Sequence, residues 1–575
     1  MNTLKKIVFF IALIILGALN IFVYLNNHFY YRASGVEDRK GKIALLERSN
    51  EFFPLNDLVF YELGKSYFDL GIESFSNVAE SESYFRKAVQ NLKKGILINP
   101  ASPYSHFYLG QSLLHLGLLS HGKDAGIINE YRKAVMLAGG NQQIYNEVGR
   151  EFLSRWSDLS DEERSFTLDV LRKIMAGKDD KERANLMNLW EINVKDYQVM
   201  EDVLSSDAPT YRQYAEFLGE KSLSLEERHK YLAQAELLEF ERARREYRSG
   251  ENQLIRFQTR EAFGLFKISQ DLLRGVKFYQ ALNNENLIDN NEYSELLRST
   301  LFGLAKCRVE ERAGWDDVKD DLRQYIVLED RTANIDELAA YLRDRGVISE
   351  KSDKSSSDIS RFAFELLLQF KQNKYREIIN FGRDLQGSFM VIPEAKKLDY
   401  IRILQLVGDS LQKVDFLYDA GDIYQKALEI DPNNLETLLK IRQNYDRLNE
   451  ERKLEEINKV IEKLAAPREI DFKNLLISKR ETFSRSLVFD GQKVVLSLQF
   501  QTDEKSGAAL IAVFFNNRVV WEEYLKDGVI SLSLVTKAGE NRLQIMPVNR
   551  PVSLTKIIYG LDNGNINMPM VRRKN

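Results

Sequence analysis

The sequence predicts a mainly α-helical protein: an α-solenoid of stacked helical hairpins, one amino-terminal transmembrane helix and a carboxy-terminal antiparallel β-sandwich. Three observations predict this fold class. An uncharged apolar run lies near the amino terminus, helical apolar spacing with small residues at fixed offsets recurs through most of the chain, and the spacing changes to alternation after Pro467. A chain of 575 residues is too long for one core, and a stacked array accommodates that length.

Composition narrows the functional classes. Hydrophobic residues make up 44% of the chain and charged residues 29%, which is typical of ordered globular proteins. A net charge of -4 over this length predicts no nucleic-acid partner. Cys307 is the only cysteine, so the chain can form neither an intrachain disulfide nor a cysteine-built zinc site.

Residues 1–30 are predicted to form a membrane anchor. The run Ile7 to Leu25 contains no charged residue and is long enough to cross a hydrocarbon core of about 30 Å. A cleavable signal peptide is the alternative, but it needs a shorter apolar core and a small-x-small site. The run ends in Phe22-Val23-Tyr24-Leu25, which favours an uncleaved anchor.

The orientation of the anchor follows from the basic residues that flank it. Lys5 and Lys6 precede the span, and a larger number of basic residues follow it: Arg32, Arg39, Lys40 and Lys42. A simple count would place the following chain in the cytoplasm, but large domains are translocated largely regardless of charge. We expect a cytoplasmic amino terminus and an extracytoplasmic body, which would be periplasmic in a Gram-negative cell.

The stretch from Leu404 to Pro432 carries the clearest repeat. Its small and large apolar residues are Leu404, Val407, Gly408, Leu411, Ala420, Tyr424, Ala427 and Pro432. Gly408 and Ala420 are expected to be small because the two helices of a hairpin cross there, and Pro432 ends the second helix because it lacks an amide hydrogen. One hairpin cannot bury its own apolar face, so neighbouring hairpins must stack on it.

These offsets resemble those of the tetratricopeptide-repeat (TPR) family. The resemblance implies a solenoid whose concave surface holds protein partners. The same template fits Phe60, Leu63, Gly64, Tyr67, Ala88, Leu92, Gly95 and Pro100, then His106, Leu109, Gly110, Leu113, Tyr131, Ala134 and Gly139, then Tyr145, Val148, Gly149 and Phe152. The first of these repeats carries an insertion around Ile72 to Ser83. The third continues in a helix at about Asp161 to Met175, capped by Ser160.

The rest of the helical body is divided by composition. Residues 43–348 are predicted to form a TPR-like solenoid whose repeats are degenerate between Lys178 and Arg345. Residues 349–358 lack apolar side chains and are predicted to form a flexible linker. Residues 359–466 are predicted to form a second TPR-like segment with a helix pair at about Ile359 to Leu385 and a last hairpin from Leu435 to Leu464.

Residues 471–563 are predicted to form the β-sandwich, followed by a disordered tail at 564–575. About eight short alternating strands are separated by turn signals, of which Asp490-Gly491 and Asn516-Asn517 tolerate positive φ. The Gly539-x-Asn541-x-Leu543 pattern resembles one in galactose-binding-like jelly rolls, a fold of many carbohydrate-binding modules. That resemblance implies polysaccharide as a candidate partner.

Motifs for catalysis are absent from the sequence. It contains no phosphate-binding Gly-x-x-x-x-Gly-Lys loop, no His-Glu-x-x-His pair and no Gly-x-Ser-x-Gly elbow. None of the five histidines has a second ligand at metal spacing. We therefore expect no enzyme, no cofactor and no metal.

The TPR resemblance implies the groove positions on the first helix of each early repeat. They map to Leu58, Tyr61, Lys65, Phe68, Tyr104, Phe107, Gln111 and Leu114. This set is apolar for a solvated surface, so we expect an apolar helix or strand of a partner to dock there. The alternative is that inserted helices cover these residues.

A candidate glycan platform lies at the turn between two strands of the sandwich. Its members are Phe514, Phe515, Asn517, Arg518 and Trp521. Adjacent strand residues point to opposite faces, so one of Phe514 and Phe515 should leave the core. We favour the alternative that this surface packs on the last helical hairpin and that the sandwich is a docking domain.

Three functions fit this organisation. The first is a membrane-anchored TPR scaffold for protein–protein interactions outside the cytoplasm, in assembly or export of a cell-envelope polysaccharide, because anchor, solenoid and sandwich resemble the repeat proteins of exopolysaccharide and O-antigen assembly. The second is a glycan-binding module on a helical stalk. The third is a membrane-tethered periplasmic chaperone.

Overall fold

The computed structural model describes residues 3–120, 126–283, 285–348, 359–385, 396–465, 468–490, 493–501, 508–525, 528–536 and 538–561. The predicted linker 349–358 and tail 564–575 lie outside these residues. The chain forms two compact units, Met1–Ser206 and Asp207–Asn575. Their boundary falls inside the predicted 43–348 solenoid, because the later helices of that segment pack with the sandwich.

The first unit is helical throughout its described residues. Its helices are α1 (Thr3–Ser34), α2 (Arg39–Phe52), α3 (Asp57–Glu73), α4 (Val78–Ile98), α5 (Pro103–Ser120), α6 (Gly126–Leu137), α7 (Gln142–Ser154), α8 (Asp161–Met175), α9 (Asp180–Asn193) and α10 (Tyr197–Glu201). The pairs α3/α4, α5/α6 and α7/α8 are the three early hairpins that the repeat template predicts.

Helix α1 contains a segment, Phe9–Ser34, that is long and apolar enough to cross a membrane, with a mean hydropathy of 2.3. Its carboxy-terminal part belongs to the folded unit. The amide of Asn26, only 1% exposed, donates to the carbonyl of Ser49 at 2.9 Å, and the Asn56 amide donates to Asn26 at 2.7 Å. Helix α1 therefore extends past the predicted limit at residue 30 and is hydrogen-bonded directly to α2 and to the residue that caps α3.

Small residues lie at the helix crossings of the early hairpins. A Cβ atom on Gly110 would lie 3.1 Å from the Tyr131 ring, and one on Gly149 would lie 2.6 Å from Ile174 Cδ1. The insertion around Ile72 to Ser83 lengthens the helices, since α3 has 17 residues and α4 has 21. Helix α8 begins as predicted, with a reciprocal capping box between Ser160 and Glu163.

The helices of the second unit come before its strands. They are α11 (Ala208–Glu220), α12 (Leu225–Ile255), α13 (Thr259–Gly275), α14 (Asn290–Glu310), α15 (Trp315–Leu328), α16 (Thr332–Asp344), α17 (Ile359–Lys371), α18 (Tyr375–Leu385), α19 (Lys397–Lys413), α20 (Leu417–Ile430), α21 (Leu435–Arg447) and α22 (Glu451–Ala465). The middle segment is helical as predicted. The repeat template cannot be placed on α12, because this helix runs for 31 residues without a break.

The late repeat is the hairpin of α19 and α20. Gly408 lies against the ring of Tyr424, and the Tyr424 hydroxyl donates to Asp409 at 2.6 Å. The helix pair α17/α18 and the last hairpin α21/α22 form on either side of it, as the sequence predicts. Their apolar side chains share one core with the late repeat.

The sandwich has eight strands among the described residues. They are β1 (Arg468–Ile477), β2 (Phe483–Asp490), β3 (Lys493–Gln501), β4 (Ala509–Phe515), β5 (Arg518–Leu525), β6 (Gly528–Val535), β7 (Ala538–Pro547) and β8 (Val552–Leu561). Two antiparallel sheets form, in the orders β1-β8-β3-β6 and β2-β7-β4-β5. Asn516 and Asn517 join β4 to β5 with φ values of 51° and 67°, the left-handed turn that their sequence predicts.

Candidate partner-binding groove

A groove lies on the first helices of the three early hairpins. It encloses a cavity of about 620 Å³ between α3, α5 and α7. The lining residues are Tyr61, Lys65, Phe68, Asp69, Ile72, Tyr104, Phe107, Tyr108, Gln111, His115, Gln143, Ile144, Glu147 and Glu151. First helices line the concave side of a repeat stack, so this is where the family resemblance places a partner.

Six of the eight predicted groove residues line this cavity. Leu58 lies outside it, 52% exposed, and Leu114 is 4% exposed and turned into the core. The prediction for Leu114 is therefore wrong. Helix α5 packs on both α4 and α6, so it buries a wider face than a helix at the end of a stack.

Several groove residues were not predicted from the sequence. On α5 the groove side is formed by Tyr104, Tyr108, Gln111 and His115, whereas the family positions give Tyr104, Phe107, Gln111 and Leu114. Phe107 lines the groove only in part, since it is 7% exposed and packs on Tyr131 with ring centroids 6.0 Å apart. Tyr108 and His115 are two helical turns apart, and this spacing could have indicated that they share one face of α5.

Aromatic rings form the surface of the groove. Tyr61 on α3 lies 6.1 Å from Tyr104 and 5.8 Å from Tyr108, both on α5, measured between ring centroids. Phe68 lies 5.7 Å from Tyr108. Burial raises the pKa of Tyr108 to about 12, and the neighbouring Asp69 carboxylate acts in the same direction. Burial also raises the pKa of Tyr61. Tyr61 and Tyr108 therefore stay neutral at physiological pH and offer uncharged rings.

His115 lies at one end of the groove. Its ring stacks on Phe85 at 5.1 Å with an interplanar angle of 11°, and it meets the Phe68 ring at 5.5 Å with a tilt of 56°. Burial lowers the pKa of His115, and the Arg155 guanidinium lowers it further. The ring is neutral near pH 7 and extends the apolar floor.

Carboxylates outnumber cationic groups along the groove. Asp69, Glu147 and Glu151 line it together with a single amine, that of Lys65. Burial raises the pKa of Asp69 against the opposing effect of Arg39 and Lys65. Burial also raises the pKa of Glu151, although Arg155 and a hydrogen bond from Gln111 oppose that rise.

The corresponding surface of the late repeat is used within the chain itself. Gln405 donates to Thr437 at 3.0 Å, Gln412 donates to Asn444 at 3.0 Å, and Lys440 donates to Asp409 at 2.6 Å. These contacts join α19 to α21. Gln405, Asp409 and Gln412, on the side of α19 that corresponds to the groove side of α3, are therefore already bonded to α21.

Two of the three rings of the candidate glycan platform are buried in this structure. Phe515 is 5% exposed and lies in the sandwich core, whereas Phe514 leaves the core and meets Tyr279 at 6.4 Å. Trp521 is half-buried against the same core. The adjacent phenylalanines do point to opposite faces as predicted, but the outward ring packs on the helical body of its own unit.

The two polar members of the platform also bind that helical body. The Asn517 amide donates to the carbonyl of Arg274 at 3.0 Å. Arg518 donates to Asn290 at 3.0 Å and lies 4.3 Å over the Phe278 ring. Both side chains therefore bind within the unit itself, and Trp521 is the one ring of the predicted platform that stays partly exposed.

The sandwich is docked mainly on the middle helices of its unit. Its strands β2 and β7 contact α21 of the last hairpin. The predicted packing of the platform surface on that hairpin is wrong, because β5 contacts the 3-10 turn Tyr279–Asn283 and Phe514 meets Tyr279 instead. The amide of Val519 donates to the carbonyl of Lys277 at 2.9 Å, and the Tyr524 hydroxyl donates to the carbonyl of Gly219 at 2.9 Å. The docking surface is thus larger than the last hairpin alone.

Polar clusters elsewhere have structural partners. His106 bonds to Glu130 at 2.6 Å and to the carbonyl of Pro100 at 3.0 Å. In the part of the chain that the structure describes, no group of three or more His, Cys, Asp or Glu side chains is placed to hold a metal ion.

These features define a helical-repeat scaffold with TPR-like hairpins, an amino-terminal apolar helix and a docked β-sandwich. Stacked hairpins of this kind are suited to protein–protein interaction. No protein-family model and no curated protein matches the chain.

Solved structures of repeat proteins are similar to it at low identity. Yeast Tom70 has 12% identity, with 78% of this chain and 91% of that chain covered and a TM-score of 0.19. The APC/C heterotetramer Cut9–Hcn1 has 10% identity, coverage of 78% and 93%, and a TM-score of 0.20. Naa15/Naa10 bound to HypK-THB has 13% identity, coverage of 77% and 63%, and a TM-score of 0.23.

Proposed function

We propose that the protein is a membrane-anchored scaffold whose α3–α5–α7 groove holds a segment of a protein partner. The observation that carries this proposal is the cavity of about 620 Å³ lined by Tyr61, Phe68, Tyr104 and Tyr108. Aromatic side chains gathered in a concave surface are typical anchors of protein interfaces. The corresponding surface of the late repeat is already bonded to α21, so the early groove is the better candidate for an external partner.

The dimensions of the groove suit a short segment. From Tyr61 to Ile72, the first and last residues of α3 that line the groove, the helix extends about 17 Å at 1.5 Å per residue. An extended strand of about five residues or a helix of about three turns would cover that length. Ile72 is 41% exposed, so an apolar contact is available at that end.

The anchor would hold this groove close to the membrane surface. Asn26 near the end of the apolar segment is bonded to Ser49 and Asn56, and α3 begins at the next residue, Asp57. We propose that α1 is an uncleaved single-pass anchor with its amino terminus in the cytoplasm and the body outside. Lys5 and Lys6 before the span support that orientation.

We also propose that the partner belongs to the machinery that assembles or exports a cell-envelope polysaccharide. What supports this step is the combination of anchor, solenoid and sandwich. Deletion of the protein should lower surface polysaccharide without changing its repeating unit. Unchanged polysaccharide would contradict this role and leave the groove proposal standing. The burial of Phe514 against Tyr279, together with the contacts of Arg518 with Asn290 and Phe278, argues against the alternative in which the sandwich binds glycan.

Site-specific photocrosslinking tests the groove directly. Benzoylphenylalanine placed at Tyr108 of the full-length protein in cells should yield a defined crosslinked protein. The control position is Lys93, an exposed residue of the second helix α4 outside the groove lining. Equal crosslinking from both positions, or none from Tyr108, would contradict the proposal.

A further inference from the structure

The chemistry of the groove restricts its partner beyond shape. Its walls combine the faces of three tyrosine rings with three carboxylates, and Lys65 is the one cationic side chain among the lining residues. A purely apolar segment would cover Glu147 and Glu151 without offering either carboxylate a positive charge. An acidic segment would meet charge of its own sign.

The tyrosine rings are arranged to receive a cation. Tyr61, Tyr104 and Tyr108 belong to two neighbouring helices, and the centroids of the two α5 rings lie 6.1 and 5.8 Å from that of Tyr61. A ring face attracts an ammonium or guanidinium group within about 6 Å of its centroid. The amine of Lys65 already lies 5.6 Å over the Tyr108 ring, which shows that this face accommodates a positive charge.

The carboxylates on α7 supply the complementary charge. Glu147 is exposed, and its contact with Arg150 is 3.6 Å long, whereas Arg150 binds Glu182 much more closely. Glu151 is half-buried and accepts a hydrogen bond from Gln111 on α5. Burial raises the pKa of Glu151, so a cation that reaches it would relieve an unfavourable environment.

We propose that the groove selects a partner segment in which a lysine or arginine lies between apolar residues. The cationic side chain lies over the Tyr61 and Tyr104 rings, beside the Tyr108 ring that Lys65 covers, and reaches Glu147 and Glu151. The apolar neighbours contact Phe68 and Ile72. This inference rests on the proposed function, because it assumes that the groove binds a protein segment.

Peptide selection on the full-length protein in lipid nanodiscs tests the inference. A library of random twelve-residue peptides is selected for binding. Peptides that no longer bind the double variant Tyr61→Ala with Tyr108→Ala are kept as groove ligands. We expect these ligands to be enriched in lysine or arginine flanked by apolar residues. The best ligand is then compared with versions in which the basic residue is replaced by norleucine or by glutamate.

The charge preference is measured with substitutions on α7. Glu147→Gln with Glu151→Gln should weaken the lysine-containing peptide roughly tenfold and leave the norleucine version nearly unchanged. Glu162→Gln on α8 is the matched control, because that carboxylate is 69% exposed and lies outside the groove lining. Far-ultraviolet circular dichroism of each variant establishes that it is folded.

Two results would overturn the inference in distinguishable ways. The charge preference would be refuted if the groove ligands were not enriched in basic residues. It would also be refuted if the glutamine substitutions on α7 weakened the lysine and norleucine peptides equally. Either result would leave the proposed function intact. A selection in which no ligand depends on Tyr61 and Tyr108 would contradict both the inference and the groove as a binding site.

Discussion

The carboxylate of Glu522 on β5 accepts two hydrogen bonds from the guanidinium of Arg228 on α12, at 2.9 and 3.1 Å. Both side chains are buried, and His229 bonds to the same carboxylate at 2.9 Å. Burial alone would raise the pKa of Glu522, but Arg228 and His229 together hold it below its ordinary value. A charged pair buried away from solvent therefore joins the sandwich to the helical body.

Replacing Glu522 by glutamine should strongly destabilise the second unit. Arg228 would keep its charge in a buried site without a counter-charge, a change that typically costs about 3–5 kcal/mol. Chemical denaturation followed by tryptophan fluorescence measures the loss. The control is Glu523→Gln on the opposite face of the same strand, where the side chain is exposed. An equal loss of stability in Glu522→Gln and Glu523→Gln would show that the Arg228–Glu522 pair does not hold the sandwich on the helical body.

The stability of the second unit should fall as the pH rises from about 4.5 to about 7. Burial raises the pKa of Glu236 to about 7, although backbone amides of Lys277 and Tyr279 and the nearby Arg212 oppose that rise. The folded state therefore keeps a proton on Glu236 that the unfolded state releases near pH 4.5. The free energy of unfolding consequently falls as the pH rises through this interval.

The size of this effect follows from the difference between the two pKa values. A difference of about 2.5 corresponds to on the order of 3 kcal/mol between pH 4 and pH 8. Unfolding free energies measured across that range should decline less steeply in Glu236→Gln, which cannot titrate. An identical slope in the wild type and in this variant would assign the pH dependence to other groups.

Local features were predictable from the sequence, and long-range ones were not. The start of α8 follows from Ser160 and Glu163, which lie three residues apart and satisfy each other's backbone amides. The Asn516-Asn517 turn is equally local. By contrast, the bond between Arg228 and Glu522 spans 294 positions in the sequence, and nothing in the pattern around either residue indicates the other.

The groove, too, was predictable from the sequence where it depends on local spacing and not where it depends on long-range packing. The family offsets identify α3 and α5 as its walls, because they depend on helix spacing within a repeat. They place Leu114 wrongly and omit Tyr108, because the rotation of α5 is set by its packing against α4 and α6. The carboxylates of α7 enter the site only when a third hairpin stacks on the first two.

Gly408→Ala should destabilise the late repeat. The added methyl group would meet the ring of Tyr424, which is fully buried and cannot move away without breaking its hydrogen bond to Asp409. Overpacking of this kind typically costs about 1–3 kcal/mol. Gly264→Ala on α13 is the matched control, since nothing lies within 4 Å of the position that an added Cβ atom would take there.

The control substitution Gly264→Ala should instead stabilise the protein. Alanine has a higher helix propensity than glycine by about 1 kcal/mol, and Gly264 lies inside a helix with space around it. Thermal unfolding of the two variants compares them directly. Equal midpoints for Gly408→Ala and Gly264→Ala would contradict the close helix crossing at Gly408.

Protease added to intact spheroplasts should digest almost the whole chain. The proposed topology leaves only the residues before the apolar segment of α1 in the cytoplasm, so a small anchored fragment should remain. A tag at the carboxy terminus reports loss of the body, and a cytoplasmic protein serves as the control for intact membranes. Protection of the tag while an external marker is cut would reverse the orientation.

Phe107→Ala and Tyr61→Ala should separate the two roles that groove residues can have. Phe107 is 7% exposed and packs on the buried Tyr131, so its truncation leaves a cavity and should cost about 3–5 kcal/mol. Tyr61 is half-buried with its ring towards the groove, and its truncation should change stability much less while it weakens capture of the partner. Thermal midpoints together with crosslinking from position 108 measure both effects. If Tyr61→Ala lowered the midpoint as much as Phe107→Ala, the tyrosine would belong to the core, and the groove would lose the ring on which its proposed binding depends.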